Sequence, residues 1–174
     1  MVQDQTNPDS NGKTEKQNRQ HRKAAETMFP FGNSPTRVDE KGRLKLPADL
    51  KRVVDEEYGP KFFITSRDGE RAEIYPEKAW NEFAKKLEAV PNFNLAKQKL
   101  MNTVSYYGQN VEMDAQGRLL IPQLVREKLK LTGDVLVFGM QTYLEVANRE
   151  AFEAQLNAQQ MTLEDRKELE KFGL

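Results

Sequence analysis

Beyond residue 27 the apolar positions come in short clusters whose spacing alternates between strand-like and helix-like. Before Met28 only Met1 and Val2 are sizeable apolar side chains. Residues 1–27 therefore read as a disordered polar tail, too poor in apolar surface to offset its chain entropy. Folding is expected to begin near Met28-Phe29-Pro30-Phe31, where aromatic residues first appear. Thr36–Val38 and Arg43–Leu46 predict two short strands around the turn Asp39-Glu40-Lys41-Gly42, in which glycine supplies the positive φ of the reversal. Pro47 and Pro122 have no N–H for a ladder but suit the first turn of a helix, so they mark strand-to-helix switches. Leu50, Val53 and Val54 then form one amphipathic stretch, and Phe62-Phe63-Ile64 and Glu73-Ile74-Tyr75 follow as strands. Trp80, Phe83, Ala84 and Leu87 recur at three- and four-residue steps, predicting a helix over Glu77–Ala89 whose apolar stripe packs on the sheet. Pro91-Asn92-Phe93-Asn94 breaks it, and a second helical stretch spans Leu95–Ser105.

The pattern then repeats. Val38-Asp39-Glu40-Lys41-Gly42-Arg43-Leu44-Lys45-Leu46-Pro47 aligns with Met113-Asp114-Ala115-Gln116-Gly117-Arg118-Leu119-Leu120-Ile121-Pro122. The shared frame is apolar, Asp, two variable residues, Gly-Arg-Leu, one variable residue, aliphatic, Pro. Leu124, Val125 and Leu129 follow as a second amphipathic stretch, Val135–Phe138 and Glu145-Val146-Ala147 as strands, and Arg149-Glu150-Ala151-Phe152 matches Glu77-Lys78-Ala79-Trp80. A unit of about 45 residues is near the lower limit for an independent core, so two such units are expected to share one. The fold class is α+β, a pseudo-twofold barrel of interleaved hairpins with peripheral helices. The chain divides into a tail (1–27), a first repeat with its following helix (28–90), a helical linker (91–110) and a second repeat with C-terminal helices (111–174). Thr162 with Asp165 three residues on resembles a capping box and opens the last helix, anchored by Leu163, Leu169 and Phe172.

Composition removes several kinds of chemistry. With no cysteine there is no disulfide, thiolate nucleophile or thiolate metal site, and the single histidine, His21, lies in the polar tail. The longest apolar run, Val135–Phe138, cannot cross a bilayer, and no apolar leader opens the chain, so no membrane association and a cytoplasmic location are expected. Carboxylates are plentiful but are read as lying in helices beside Lys and Arg, as solvated ion-pair faces. No phosphate loop or hydrolase motif occurs. The expectation is a non-enzyme with no catalytic residues, metal, cofactor or small-molecule substrate. Asp39 and Asp114 are most simply turn residues whose carboxylates accept nearby backbone N–H groups, with Gly42, Gly117, Pro47 and Pro122 as the other structural positions.

Arg43 and Arg118 are different, because a turn does not require an arginine after its glycine in both copies. A guanidinium fork suits guanine edges and phosphate, and a β-hairpin can lie in a major groove. Each arginine could instead close an ion pair to the aspartate four residues earlier, and the two roles are compatible. The 27 basic and 27 acidic side chains cancel over the chain, yet charge is local: from Thr36 to Arg52 the first repeat carries Arg37, Lys41, Arg43, Lys45, Lys51 and Arg52 against Asp39, Glu40 and Asp49. In the second, Gln116 and Leu120 stand where the first has Lys41 and Lys45. The candidate DNA-binding set is Arg37, Lys41, Arg43, Lys45 and Arg118. With few phosphates engaged per chain, useful affinity requires several chains together.

The Asp-x-Lys-Gly-Arg-x-x-x-Pro hairpin, its second copy and the helical spacer together resemble the MraZ family of bacterial transcriptional regulators, within the SpoVT-AbrB swapped-hairpin superfamily. The resemblance covers residue 28 to about 156. It implies tandem swapped-hairpin repeats, double-stranded DNA with promoter direct repeats as partner, a ring-like homo-oligomer, nucleoid association and repression of a division and cell-wall gene cluster. The motif positions it carries over are Asp39, Lys41, Gly42, Arg43, Asp114, Gly117 and Arg118. The competing expectation is an antitoxin-like interaction module of the same fold. Antitoxins of that superfamily generally use an extended C-terminal segment, whereas Arg149–Leu174 reads mostly helical. A hydrolase using Asp39 and Asp114 is remote.

Overall fold

The computed structural model describes residues 28–174, so the reading of 1–27 as a disordered tail lies outside the described residues. The first repeat runs β1 (Phe29–Val38), β2 (Arg43–Lys45), α1 (Ala48–Glu57), β3 (Lys61–Thr65), β4 (Ala72–Pro76) and α2 (Glu77–Glu88). After α3 (Leu95–Tyr107) the order recurs as β5 (Gln109–Glu112), β6 (Arg118–Leu120), α4 (Gln123–Lys128), β7 (Gly133–Gln141), β8 (Leu144–Asn148) and α5 (Arg149–Ala158), with α6 (Leu163–Glu170) appended.

The strands form one eight-stranded sheet in the order β5-β3-β4-β8-β7-β1-β2-β6. Its end strands β5 and β6 touch, so it is a nearly closed antiparallel barrel. The hairpins are exchanged between repeats. β1 of the first repeat pairs along β7 of the second, and β5 of the second pairs along β3 of the first. On the pseudo-dyad two strands meet their own counterparts: β2 faces β6 with Leu44 opposite Leu119, and β4 faces β8 with Glu73 opposite Glu145. Inward-facing Leu44, Leu119, Ile64, Ile74, Val137 and Val146 are buried in one cluster drawn from both repeats.

Outside the barrel, Trp80 on α2 stacks on Phe63 at 4.0 Å between ring centroids and meets the edge of Tyr75 at 5.4 Å, so the apolar stripe of α2 packs where its periodicity indicates. Thr162 and Asp165 form a reciprocal capping box at α6. Asn94 caps α3 and Asn148 caps α5 through side-chain oxygens.

Three features depart from the sequence reading. β1 begins at Phe29, well before Thr36, and runs through Pro30 and Pro35. Its only partner along that stretch is β7, so one edge carries no ladder and imposes no N–H requirement on a proline. A register shift between Phe29 and Gly32 accompanies this, and a Cβ on Gly139 would meet the Pro30 carbonyl oxygen at 1.9 Å, so only glycine admits the approach. Pro47 and Pro122 are N-caps with extended ψ rather than first-turn residues, and Pro76 does the same before α2.

Finally, Glu73 and Glu145 are buried strand carboxylates, not members of a solvated helix face. The Arg67 Nε donates to both oxygens of Glu73 at 2.7 and 2.8 Å, with Tyr75 adding its hydroxyl at 2.9 Å. Arg71 donates to Glu145 at 2.9 Å and Tyr143 reaches it at 3.3 Å. Burial pushes Glu73 above the ordinary carboxylate value, against the opposing pull of the Arg67 fork. These donors reach both oxygens of each carboxylate where β4 and β8 pair.

Candidate nucleic-acid interface

Each hairpin turn is built around one aspartate. Asp39 Oδ1 accepts the backbone N–H of Lys41 at 3.0 Å and of Arg43 at 2.9 Å, and the Gly42 N–H returns to the Asp39 carbonyl at 2.8 Å. Gly42 sits at φ +79° and Gly117 at φ +74°, a region open to glycine and strained for other residues. The other oxygen, Oδ2, accepts a fork from Arg43, Nε at 2.8 Å and Nη2 at 2.7 Å. The second copy repeats this: Asp114 Oδ1 takes the N–H groups of Gln116 and Arg118 at 2.9 and 3.0 Å, and Oδ2 takes Arg118 Nε and Nη2, both at 2.7 Å. Bonds from the Arg43 side chain and backbone lower the Asp39 carboxyl from 3.8 to about 2. At Asp114 burial acts upward, but the Arg118 fork and the turn N–H groups outweigh it and the carboxyl is lowered. Both aspartates are committed to their own hairpins, and the ion pair across each hairpin is present.

That clasp fixes where the arginines point. In β2 and β6 the central residues Leu44 and Leu119 face the core, which turns Arg43, Lys45, Arg118 and Leu120 outward on one face. Register sets Lys45 opposite Arg118 and Arg43 opposite Leu120. Three cations thus share the outer face of a two-stranded ribbon on the pseudo-dyad. Arg43 and Arg118 keep 30% and 27% of their side-chain surface exposed, so part of each remains open to solvent beyond the clasp. Lys41 is exposed at the first turn. Arg37 stands apart from the ribbon, on β1 beside β7, where its Nε lies 3.2 Å from Asp134 with both side chains largely exposed.

Two basic residues outside the candidate DNA-binding set join the turns: Lys51, which the sequence places in the basic stretch of the first repeat, and Arg126, which it does not single out. A Cβ built on Gly117 would fall 2.7 Å from Lys51 Cδ, and one on Gly42 would fall 2.4 Å from Arg126 Cζ. The basic stem of each repeat's short helix therefore covers the turn glycine of the other repeat, and both glycines are buried beneath it. The clasp continues through the backbone: Leu46 N–H donates to the Gly117 carbonyl at 3.0 Å, and Ile121 N–H to the Gly42 carbonyl at 2.9 Å. A signal was available, since both cations stand four residues after the motif proline. Among the described residues no helix is long and apolar enough to cross a membrane.

Two exchanged Asp-Arg hairpins closing one barrel, with a cationic ribbon on the pseudo-dyad, define a tandem swapped-hairpin barrel. A family model described as "MraZ protein, putative antitoxin-like" matches residues 31–103 and 108–171, and the chain belongs to the MraZ family. It is 62% identical over 143 residues to the transcriptional regulator MraZ of Acidobacterium capsulatum, covering 82% of this chain and 98% of the relative. It is 45% identical over 144 residues to the transcriptional regulator MraZ of Koribacter versatilis, covering 82% and 98%. Both relatives are named transcriptional regulators, which supports a transcription regulator as the class of this chain.

Proposed function

We propose that this protein is a sequence-specific DNA-binding transcription regulator that reads double-stranded DNA with the outer face of the β2–β6 ribbon. The observation that carries this is the placement of Lys45 directly opposite Arg118, beside Arg43. Like charges at facing positions of an antiparallel pair destabilise it, and a polyanion across the ribbon removes that repulsion. A two-stranded ribbon fits the major groove, where an arginine fork suits guanine edges, and Lys41 at the turn tip suits a backbone phosphate. The first repeat carries most of this surface and the second contributes Arg118.

The ribbon and its turn offer only Lys41, Arg43, Lys45 and Arg118, so one chain neutralises few phosphates and binds weakly at physiological salt. A ring-like homo-oligomer presenting several ribbons to direct repeats multiplies those weak sites through effective concentration. The expected setting is the cytoplasm, on the nucleoid, with repression of a division and cell-wall gene cluster from repeats near the protein's own promoter. Over a toxin-masking role this reading is supported by the C-terminal elements, since α5 and α6 are helices with side-chain N-caps rather than an extended arm.

The test combines Lys41→Ala with Arg43→Ala in the full chain. Retention of DNA from upstream of its own gene is expected to disappear in a mobility-shift assay while the mass of the assembly stays the same. Retention equal to that of the unaltered chain would sink the proposal.

A further inference from the structure

The two cations that cross between repeats are not equivalent. Lys51, over the second turn, forms an ion pair with Asp55 one helical turn on. The position matching Asp55 in the second repeat is Lys130, so Arg126, over the first turn, has no carboxylate within ion-pair distance among the described residues. Its Nε donates to the Ile121 carbonyl at 3.0 Å, and Ile121 N–H in turn holds the Gly42 carbonyl. Its Nη1 would lie 2.7 Å from a Cβ at Gly42, so the planar head rests on the turn peptide of the first hairpin. This is a half-buried guanidinium, braced on two sides, with its terminal nitrogens unbonded within the described chain.

We propose that Arg126 completes the DNA-binding surface of the first hairpin by donating its terminal N–H groups to a backbone phosphate beside Lys41. The assignment rests on the DNA-binding reading above and deepens it. The reading element becomes composite, with the turn from one repeat and a phosphate clamp from the helix of the other. Pre-organisation is the physical advantage: Nε is already bonded and the head already seated, so little side-chain freedom remains to be lost when a phosphate arrives. At the second turn the same position holds an ammonium neutralised by Asp55, beside Gln116 instead of Lys41. With Arg126 the first turn carries three cations, Lys41, Arg43 and Arg126, against Asp39 and Glu40, whereas at the second Arg118 and Lys51 are balanced by Asp114 and Asp55, and DNA is expected to engage the first.

The experiment measures affinity of the full chain for a duplex from upstream of its own gene at several salt concentrations. The variants are Arg126→Gln, Lys51→Gln and Arg43→Ala, with thermal unfolding recorded for each. Arg126→Gln is expected to weaken binding about tenfold at physiological salt and to reduce the slope of log affinity against log salt by about one phosphate. Lys51→Gln is expected to change affinity less than about twofold, because its charge is already balanced by Asp55. Arg126→Gln binding with unaltered affinity and slope, while Arg43→Ala loses DNA, overturns this assignment and leaves the DNA-binding proposal standing. A lower unfolding temperature for Arg126→Gln with an unaltered salt slope also overturns it, since that is the signature of a purely structural brace. If the unaltered chain does not retain the duplex at all, both proposals fail together.

Discussion

At the scale of single residues, the aspartate of each hairpin performs two tasks with its two oxygens. One holds the turn by taking backbone N–H groups, and the other aims an arginine. The consequence is measurable as a titration. Asp39 is held at about 2, below its ordinary value, because it gains Arg43 on folding. Its folded value is the lower one, so the stability it confers is complete above the ordinary carboxylate range. That stability is lost as pH falls through about 2. Carboxyl carbon resonances followed by NMR should give this low value in the unaltered protein, and Arg43→Ala should return it towards that of a free aspartate. An ordinary value with Arg43 in place would contradict the clasp. The aspartate, glycine and arginine were legible in the sequence because a turn constrains a contiguous run of residues. Arg126 was not legible as a partner of Gly42, because the two are separated by about half the chain and meet only through the exchange of hairpins.

At the scale of elements, the barrel hangs on the short β2–β6 ladder, three residues against three. Its stability comes from what lies beneath, since Leu44 and Leu119 are both fully buried on the pseudo-dyad. Replacing either by alanine is expected to cost about 2–5 kcal/mol in urea unfolding. Because they face each other, the double variant should depart from additivity by about 0.5–3 kcal/mol. Strict additivity would mean that the two side chains do not share one packing site. Most elements were readable from local pattern: the α2 stripe, the α6 capping box and the prolines between strand and helix. The first half of β1 was not, since Pro30, Gly32 and Pro35 are poor strand residues in isolation. They are tolerated because their free N–H edge is unpaired and Gly139 of β7 allows the backbones to approach.

At the scale of the whole molecule, neither repeat owns a complete sheet. β1 lies on β7, β5 on β3, and β2 and β4 pair with their own counterparts. A fragment of residues 28–90 is therefore expected to lack cooperative unfolding by circular dichroism, while the full chain melts in a single main transition. A folded, monomeric fragment would contradict the shared core. The same interleaving explains how a chain of zero net charge can present a cationic surface. Acidic and basic side chains cancel over the total but not over the ribbon, where Arg43, Lys45 and Arg118 come from opposite halves of the chain.

The sequence alone determined the duplication, the Asp-Gly-Arg turns, the placement of helices after prolines, and the exclusion of thiol chemistry. Each of these depends on residues close together in the chain or on residues that are absent. Tertiary structure alone decided that Lys45 faces Arg118, that Arg126 covers Gly42 and that Glu73 and Glu145 are buried against arginines. Those juxtapositions arise from hairpin exchange across a pseudo-dyad, a long-range closure whose register is set by the packing of both repeats together and by no single segment.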